Sequence, residues 1–256
     1  MKKKISCILA CILVIATIIP SMALAASNAS ILDNLKLSGV KTYDVALPTK
    51  GTKKTEKQIN DLLKKIPYRP SGKGNTNYRY NLSFSRQVSK KPGNYTWVGV
   101  SKQWYKYIDK TKKSFFYYEG RDLTDTKAGI SCYIEKYDTK NGNSYSWVKG
   151  KKTGEYYTWK IEPDNNNTLK PVNIKLYPDA TVLGEKCMVY SYEFKDSDGA
   201  TTTYYFISRK TGQCIKNIYV DEYGIYTSID FEKKLVDKAD SFFDPPKDVK
   251  FTTKTD

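Results

Sequence analysis

Apolar and polar residues alternate along most of this chain in short runs, and the pattern is clearest towards the C-terminus. Between Lys186 and Pro246, four runs rich in Tyr, Val, Ile and Thr follow one another. They are separated by the turn-forming segments Asp196–Gly199, Lys210–Gly212 and Tyr223–Gly224. Runs of this length, divided by Gly and Asp, predict a four-strand antiparallel meander.

Similar runs fill the first two thirds of the chain. Tyr78, Tyr80, Leu82 and Phe84 occupy alternate positions, which predicts a strand with one buried face. The other runs of strand-like composition are Tyr95–Val100, Trp104–Ile108, Lys113–Tyr118, Ile130–Tyr137, Ser144–Lys149, Glu155–Ile161 and Val172–Tyr177. Asn141-Gly142 fits a type I′ hairpin turn. Because strands and helices do not alternate, the sequence predicts an antiparallel sheet of about ten strands.

One segment has a helical period instead. Thr55 and Gln58 have the spacing of a capping box, and Pro67 ends the segment. The apolar residues in between recur at i, i+3, i+4 and i+7. They are Ile59, Leu62, Leu63 and Ile66. Two interpretations of this amphipathic helix remain open: its stripe packs on the sheet as core, or the helix is a movable lid across the mouth of a half-closed sheet.

The first 25 residues have the three regions of a secretory signal peptide. Lys2–Lys4 is positively charged, Ile8–Ile19 is apolar, and Ala23–Ala25 has the small residues of a cleavage site. The apolar run is shorter than the roughly 20 residues that a membrane-spanning helix needs. The sequence therefore predicts a secreted or extracytoplasmic envelope protein, cleaved near Ala25.

The rest of the chain is long enough for one large β domain with its own core. We expect residues 26–54 to be a loosely ordered lead-in, in which Leu35–Ala46 adds a peripheral strand at most. Residues 55–256 are predicted to form the single β domain.

The chain is strongly basic, with 43 Lys and Arg against 27 Asp and Glu and a net charge of +16. An exported protein is not expected to bind nucleic acid, whereas membrane surfaces and wall polymers are anionic partners within its reach. Lys50–Lys57 and Lys110–Lys113 would contact such a surface. Alternatively, the charge is spread over the strand faces and serves solubility. The Lys-, Asn- and Tyr-rich composition is typical of a Gram-positive bacterium.

Three cysteines follow the predicted cleavage site: Cys132, Cys187 and Cys214. An odd number is not typical of a disulfide framework. The meander places Cys187 on its first strand and Cys214 on its third, about two spacings of 4.8 Å apart, beyond the reach of a disulfide. The sequence therefore predicts buried thiols.

The sequence contains no histidine and none of the common catalytic or phosphate-binding motifs. The cysteines lack the spacing of a zinc site. Asp196–Gly199 resembles the start of a calcium loop, but the later ligands are absent, and a turn explains these residue types equally well. We therefore predict a protein that is not an enzyme and has no catalytic residues, metal or cofactor.

Aromatic residues are abundant: 22 Tyr, 9 Phe and 4 Trp. Such residues pack well on pleated strands, and cross-strand pairing is the simpler explanation. The alternative is that some of them line an apolar cavity or meet lipid.

Four segments of the chain resemble the LolA-like family of lipoprotein-carrier and sensor domains. They are CMVYSYEF from Cys187, TYYFISRKTGQCIKNIYV from Thr203, the strand Ile225–Phe231, and the closing segment Ala239–Pro246. The resemblance implies a half-open, strongly curved antiparallel β-sheet with helices on its concave side. It also implies a cavity that holds the acyl chains of a lipid or lipoprotein, and no catalytic residues.

These expectations combine into a mainly β (α+β) fold in which the amphipathic helix covers the concave face of the sheet. We expect the ligand to lie between that helix and the late strands. The predicted ligand-binding residues are Ile59, Leu62, Leu63, Ile66, Ile225, Ile229 and Phe231. The alternative function is a basic module that binds an anionic wall polymer or membrane surface.

Overall fold

A computed structural model of the protein describes residues 31–67, 76–108, 111–161, 170–196 and 199–254. The chain forms two units. The first unit extends to Leu35, and its described residues begin with a helical turn at 31–33. The second unit, Lys36–Asp256, contains every strand of the described chain. The predicted signal peptide lies outside the described residues.

Strands are the main secondary structure of the second unit. Its helices are α1 (Leu37–Val40), α2 (Glu56–Leu63) and a 3-10 helix (Asp240–Phe243). Its strands are β1 (Thr52–Lys53), β2 (Thr76–Arg86), β3 (Trp97–Ile108), β4 (Lys113–Asp122), β5 (Ser131–Tyr137), β6 (Asn141–Val148), β7 (Thr153–Lys160), β8 (Asn173–Val182), β9 (Glu185–Asp196), β10 (Gly199–Ser208), β11 (Cys214–Val220), β12 (Ile225–Val236) and β13 (Lys250–Thr253). No described helix is long and apolar enough to cross a membrane.

All thirteen strands belong to one curved, unclosed sheet, which confirms the predicted mainly β fold. Their order is β1-β8-β9-β10-β11-β12-β2-β3-β4-β5-β6-β7-β13. The predicted meander corresponds to β9–β12, and a second meander, β2–β7, joins it through the antiparallel pair of β12 with β2. The strand count is higher than expected, and the short strands β1 and β13 left no sequence pattern. The runs Tyr95–Val100 and Trp104–Ile108, predicted separately, fall in the single strand β3.

The predicted helix is present, with its capping box. Thr55 Oγ1 accepts a hydrogen bond from the Gln58 backbone N–H at 3.2 Å, and Gln58 Oε1 accepts one from the Thr55 N–H at 2.9 Å. The helix ends at Leu63, earlier than its apolar period suggests. The following turn nevertheless returns Ile66 to the same buried cluster as Ile59.

Two local predictions are wrong. Leu35–Ala46 contains the helical turn α1 instead of a strand. The hairpin between β5 and β6 turns before Asn141, because the Asp138 carboxylate accepts hydrogen bonds from the backbone N–H groups of Lys140 and Asn141 at 2.7 and 2.9 Å. Gly142 lies inside β6, where a Cβ atom would overlap the Trp159 ring. The glycine therefore serves close ring packing and not a turn.

The two faces of the sheet carry different layers. The helix face is the side against which α2 packs. Its buried cluster contains Ile59 and Ile66 together with side chains of β8, β9 and β10. The opposite face carries a second cluster, which includes Cys187, Val189 and Phe206. Successive strand residues point to opposite sides, so neighbours such as Met188 and Val189 contribute to different clusters.

The opposite face is also covered by chain segments from both ends of the unit. Tyr43 packs edge-on against Phe231, with ring centroids 5.1 Å apart. On the other meander, Phe242 of the 3-10 helix packs against Trp104 and Tyr117, with centroids 5.5 and 5.4 Å away. Phe243 is fully buried beside them. Ring packing of this kind accounts for part of the aromatic content.

The described cysteines form no disulfide. Cys132 and Cys187 are buried, as expected, while Cys214 is partly buried. Cys187 lies on β9 and Cys214 on β11, with β10 between them, so the predicted strand separation is confirmed.

Candidate functional site

A β-bulge in β12 decides which side chains reach the helix face. Before the bulge, Ile225 and Ile229 are buried on the opposite face while Asp230 points to the helix face. The pairing with β2 shifts between Asp230 and Glu232. After this shift, Lys233 and Leu235 point to the helix face. On that face they pair directly with Arg79 and Asn77 of β2.

These residues begin two neighbouring cross-strand rows. In the first row, Lys233 of β12 pairs with Arg79 of β2, which pairs with Gln103 of β3. The second row, two positions along the strands, runs through Leu235, Asn77, Tyr105 and Phe116. Directly paired side chains lie about 5 Å apart. The first row is therefore polar and basic, and the second is largely apolar.

The two rows form the floor of a cavity of about 860 Å³. Its far wall is the β10–β11 hairpin, which contributes Ile207, Gly212, Gln213 and Cys214. The volume is within the range of pockets that hold small ligands, about 300–1,000 Å³. Residues of β4 and of this hairpin border the same space although three strands, β12, β2 and β3, lie between them, because the sheet curves towards its helix face.

The cavity adjoins the layer formed by α2. Ile207 and Cys214 line the cavity and also belong to the cluster that buries Ile59 and Ile66. Leu62 and Leu63 are partly buried against the same cluster. The helix therefore packs against the side chains that form this wall of the cavity.

A hydrogen-bond network holds the polar row in place. Arg79 Nε donates to Gln103 Oε1 at 2.8 Å, and Gln103 Nε2 donates to Ser101 Oγ at 2.8 Å. Asp230 lies beside this row, with its side chain 9% exposed. It accepts a hydrogen bond from Asn81 Nδ2 at 2.8 Å. Because its partners are themselves fixed, the Arg79 side chain has a defined position at the cavity.

Burial raises the pKa values of three groups on the helix face: Tyr133, Glu135 and Cys214. Burial, with the neighbouring Glu135 and Tyr118, raises the pKa of Tyr133 to about 12. Burial also raises the pKa of the Glu135 carboxyl and of the Cys214 thiol. The phenol and the thiol are therefore protonated at neutral pH, and Cys214 is not an activated nucleophile. These two groups can pack and hydrogen-bond without carrying charge.

The seven predicted ligand-binding residues fall on both sides of the sheet. The four from the helix segment, Ile59, Leu62, Leu63 and Ile66, lie in the cluster on the helix face. Ile225, Ile229 and Phe231 do share one face, as expected, but it is the opposite face. The two groups therefore cannot enclose one ligand between them, and none of the seven residues lines the cavity.

The cavity residues themselves were not found from the sequence. The strand pattern around Tyr78–Phe84 identified the buried face of β2, and the polar residues Asn77 and Arg79 lie on the other side of the same strand. Interpreting that side as a binding surface would have found the two residues Asn77 and Arg79 of the cavity. Lys233 and Leu235 leave no such signal, because the bulge reverses their alternation.

The basic stretches predicted to contact an anionic surface are only partly within the described residues. Within Lys50–Lys57, Lys53 lies in β1, and Lys57 pairs with Asp61 at 2.8 Å. Lys110 is outside the described part of the chain. The described residues contain no group of three or more Cys, Asp or Glu side chains that could hold a metal ion.

Several solved structures are similar to this chain, at low sequence identity. An uncharacterized conserved protein from Thermus thermophilus has a TM-score of 0.45 and 7% identity, covering 77% of this chain and 99% of that one. LprF from Mycobacterium bovis has a TM-score of 0.40 and 7% identity, covering 70% and 93%.

A domain described as a putative outer membrane lipoprotein-sorting protein, from Vibrio parahaemolyticus, has a TM-score of 0.31 and 7% identity, covering 73% of this chain and 94% of that one. No family profile and no curated protein sequence matches the chain. These solved structures include LolA-like folds, the kind of fold that the sequence resembles. Each of the three TM-scores is below 0.5.

Proposed function

We propose that this protein is an exported, non-catalytic carrier that holds the acyl chain of a lipid or lipoprotein in the cavity on its helix face. The supporting observation is the cavity of about 860 Å³, in which Leu235, Phe116 and Ile207 provide apolar surface next to a fixed polar row. Burial of ten methylenes of an acyl chain would contribute roughly 8 kcal/mol before entropic costs.

Helix α2 packs against Ile207 and Cys214, which form part of one wall of this cavity, and its movement would adjust that wall. Ile59 is fully buried and anchors the helix, whereas Leu62 and Leu63 are only partly buried. A small movement of these two leucines would alter the packing of Ile207 and Cys214, which face the ligand. In this mechanism the helix adapts to the acyl chain while Ile59 stays in place.

The first test is native mass spectrometry of the mature protein purified from its own host, with organic extraction of what is bound. A co-purifying lipid or acylated peptide supports the carrier. A protein that carries nothing and takes up no added palmitoyl lipid contradicts it.

Variants locate the ligand. Leu235 is 43% exposed, so Leu235→Asp should block acyl uptake without unfolding the protein. Leu37, in α1, is 40% exposed and does not line the cavity, so Leu37→Asp is the matched control. Equal uptake by the two variants would place the ligand elsewhere. Leu62→Asp and Leu63→Asp test the role of α2. Loss of lipid uptake in a folded protein supports this role, whereas unfolding identifies both residues as core.

The rate at which Cys214 is alkylated measures whether a ligand occupies the cavity. Its thiol is partly buried and lines the cavity, whereas Cys132 and Cys187 are buried elsewhere. Bound palmitoyl lipid should slow the alkylation of Cys214, measured by peptide mapping. The other two thiols report any global unfolding. Binding should also persist in high salt, since an attachment through surface lysines would weaken as charges are screened.

A further inference from the structure

The charged residues that border the cavity are all cationic. They are Arg79, Lys233 and Lys234, and none of the described lining residues carries a carboxylate. The Arg79 and Lys233 side chains are 45% and 35% exposed, so the charge of a ligand in the cavity can reach both of them. An anionic ligand is therefore favoured over a cationic one.

Two of these cations share a single carboxylate. Arg79 Nη1 lies 3.9 Å from Asp230 Oδ1, and Lys233 Nζ lies 3.8 Å from Asp230 Oδ2. Both distances exceed that of a charge-assisted hydrogen bond, about 2.7–2.9 Å. Asp230 therefore holds the two cations near each other and leaves one positive charge in excess.

Lys234 does not belong to this pair. It lies on the opposite face by alternation, pairs with Glu232 at 2.7 Å and sits over the Tyr78 ring, 5.3 Å from its centroid. Its charge is already balanced. The excess positive charge at the cavity is therefore that of Arg79 and Lys233.

The position of this charge relative to the apolar surface defines the ligand. Asn77 lies two positions before Arg79 on the same face of β2. It belongs to the row that contains Tyr105 and Phe116. Two positions along a strand correspond to about 7 Å. A ligand whose negative charge lies within a few bonds of its acyl chain can therefore contact both rows at once.

Resting on the proposed carrier function, we propose that the cavity is selective for acyl ligands with an anionic phosphate head group, which Arg79 and Lys233 bind while the chain lies against Leu235, Tyr105 and Phe116. The planar guanidinium of Arg79 suits phosphate oxygens, and the Lys233 ammonium adds a second, mobile charge. Asp230 positions both cations in the absence of ligand.

Three probes separate this proposal from the carrier function. Palmitoyl lysophosphatidic acid has both chain and phosphate, monopalmitoylglycerol has the chain alone, and glycerol 3-phosphate has the head group alone. We expect the first to bind roughly tenfold tighter than the second, the gain of a charged hydrogen bond, and the third to bind weakest. Calorimetry measures the affinities, and the protection of Cys214 shows that the lipid occupies the cavity.

The outcomes are distinct. If the two palmitoyl lipids bind equally, the head-group proposal is wrong and the carrier function stands. If neither lipid binds or protects Cys214, both proposals are wrong. Binding of glycerol 3-phosphate as tight as that of the lysophospholipid would identify a phosphate site without an acyl preference, which also overturns the proposal.

Variants test the two cations. In the double variant Arg79→Gln with Lys233→Gln, the preference for the phosphate lipid should fall to within roughly twofold while monopalmitoylglycerol still binds. Arg79→Lys keeps the charge and should retain most of the preference. The double variant Lys57→Gln with Lys152→Gln is the charge-matched control, since these side chains are 86% and 72% exposed and neither lines the cavity. An Arg79→Gln with Lys233→Gln double variant that keeps the tenfold preference overturns the assignment.

Discussion

Arg86 and Asp44 form a buried ion pair, with Arg86 Nε 3.3 Å from Asp44 Oδ1 and side chains only 7% and 2% exposed. The pair connects β2 to the segment after α1. Asp44 also accepts a hydrogen bond from the Gly93 N–H at 3.2 Å, and Arg86 donates to the Lys90 carbonyl at 2.8 Å. Three segments of the chain therefore meet at one pair of charges.

Removal of one partner should be costly, because the other charge would remain buried and unpaired. We expect Asp44→Ala to lower the free energy of unfolding by about 3–5 kcal/mol. Asp61→Ala, which breaks the exposed pair with Lys57, should cost less than about 1 kcal/mol. Urea denaturation of both variants measures the difference. Similar losses in the two variants would contradict the structural importance of the buried pair.

The buried Lys216 should make the free energy of unfolding depend on pH in the alkaline range. It is only 3% exposed, donates to the Tyr43 carbonyl at 3.2 Å, and burial lowers its pKa from 10.5 to about 8. Between these two values the unfolded state binds more protons than the folded state, so the contribution of Lys216 to stability rises with pH.

The comparison with Lys216→Met isolates this effect from other titrating groups. Relative to that variant, the wild-type free energy of unfolding should rise by about 1–2 kcal/mol between about pH 7.5 and 9.5. The exposed Lys57→Met variant should show no such relative change. Denaturation curves at several pH values measure it, and parallel pH profiles for wild type and Lys216→Met would refute the lowered pKa.

Local patterns in the sequence predict the elements well, and for physical reasons. Alternation identified the buried face of β2, and the spacing of Thr55 and Gln58 identified the cap of α2, since both depend only on neighbouring residues. The partnership of β12 with β2 was not predictable in this way, because residues far apart in the sequence, such as Ile229 and Leu82, pair there. The cavity depends on that partnership and on the bulge after Asp230.

The cap of α2 should contribute measurably to stability. Thr55→Ala removes the hydroxyl that accepts the Gln58 N–H and should lower the free energy of unfolding by about 1 kcal/mol. Thr55→Ser keeps the hydroxyl and should retain most of that stability. Thermal or urea denaturation distinguishes the two, and equal losses would show that the methyl group of Thr55 matters more than the cap.

Gly142 and Trp159 should behave as a coupled pair. A Cβ atom at Gly142 would overlap Cε2 and Cζ2 of the Trp159 ring, so Gly142→Ala should destabilise the protein by about 1–3 kcal/mol. In a Trp159→Ala background the same change should be neutral or stabilising, because alanine suits a strand better than glycine. A double-mutant cycle by urea denaturation measures the coupling. Additive effects would contradict the ring packing.

The order of strands also bears on self-association. An unclosed sheet has two lateral edges, whose unpaired backbone groups can recruit a strand from another molecule. Here β8 is capped by the two-residue β1, and β7 is capped by the short parallel strand β13, which comes from the end of the described chain. Trimming the chain before Lys250 would uncover the four residues of β7 that pair with β13, so the C-terminal segment protects the protein against edge-to-edge aggregation.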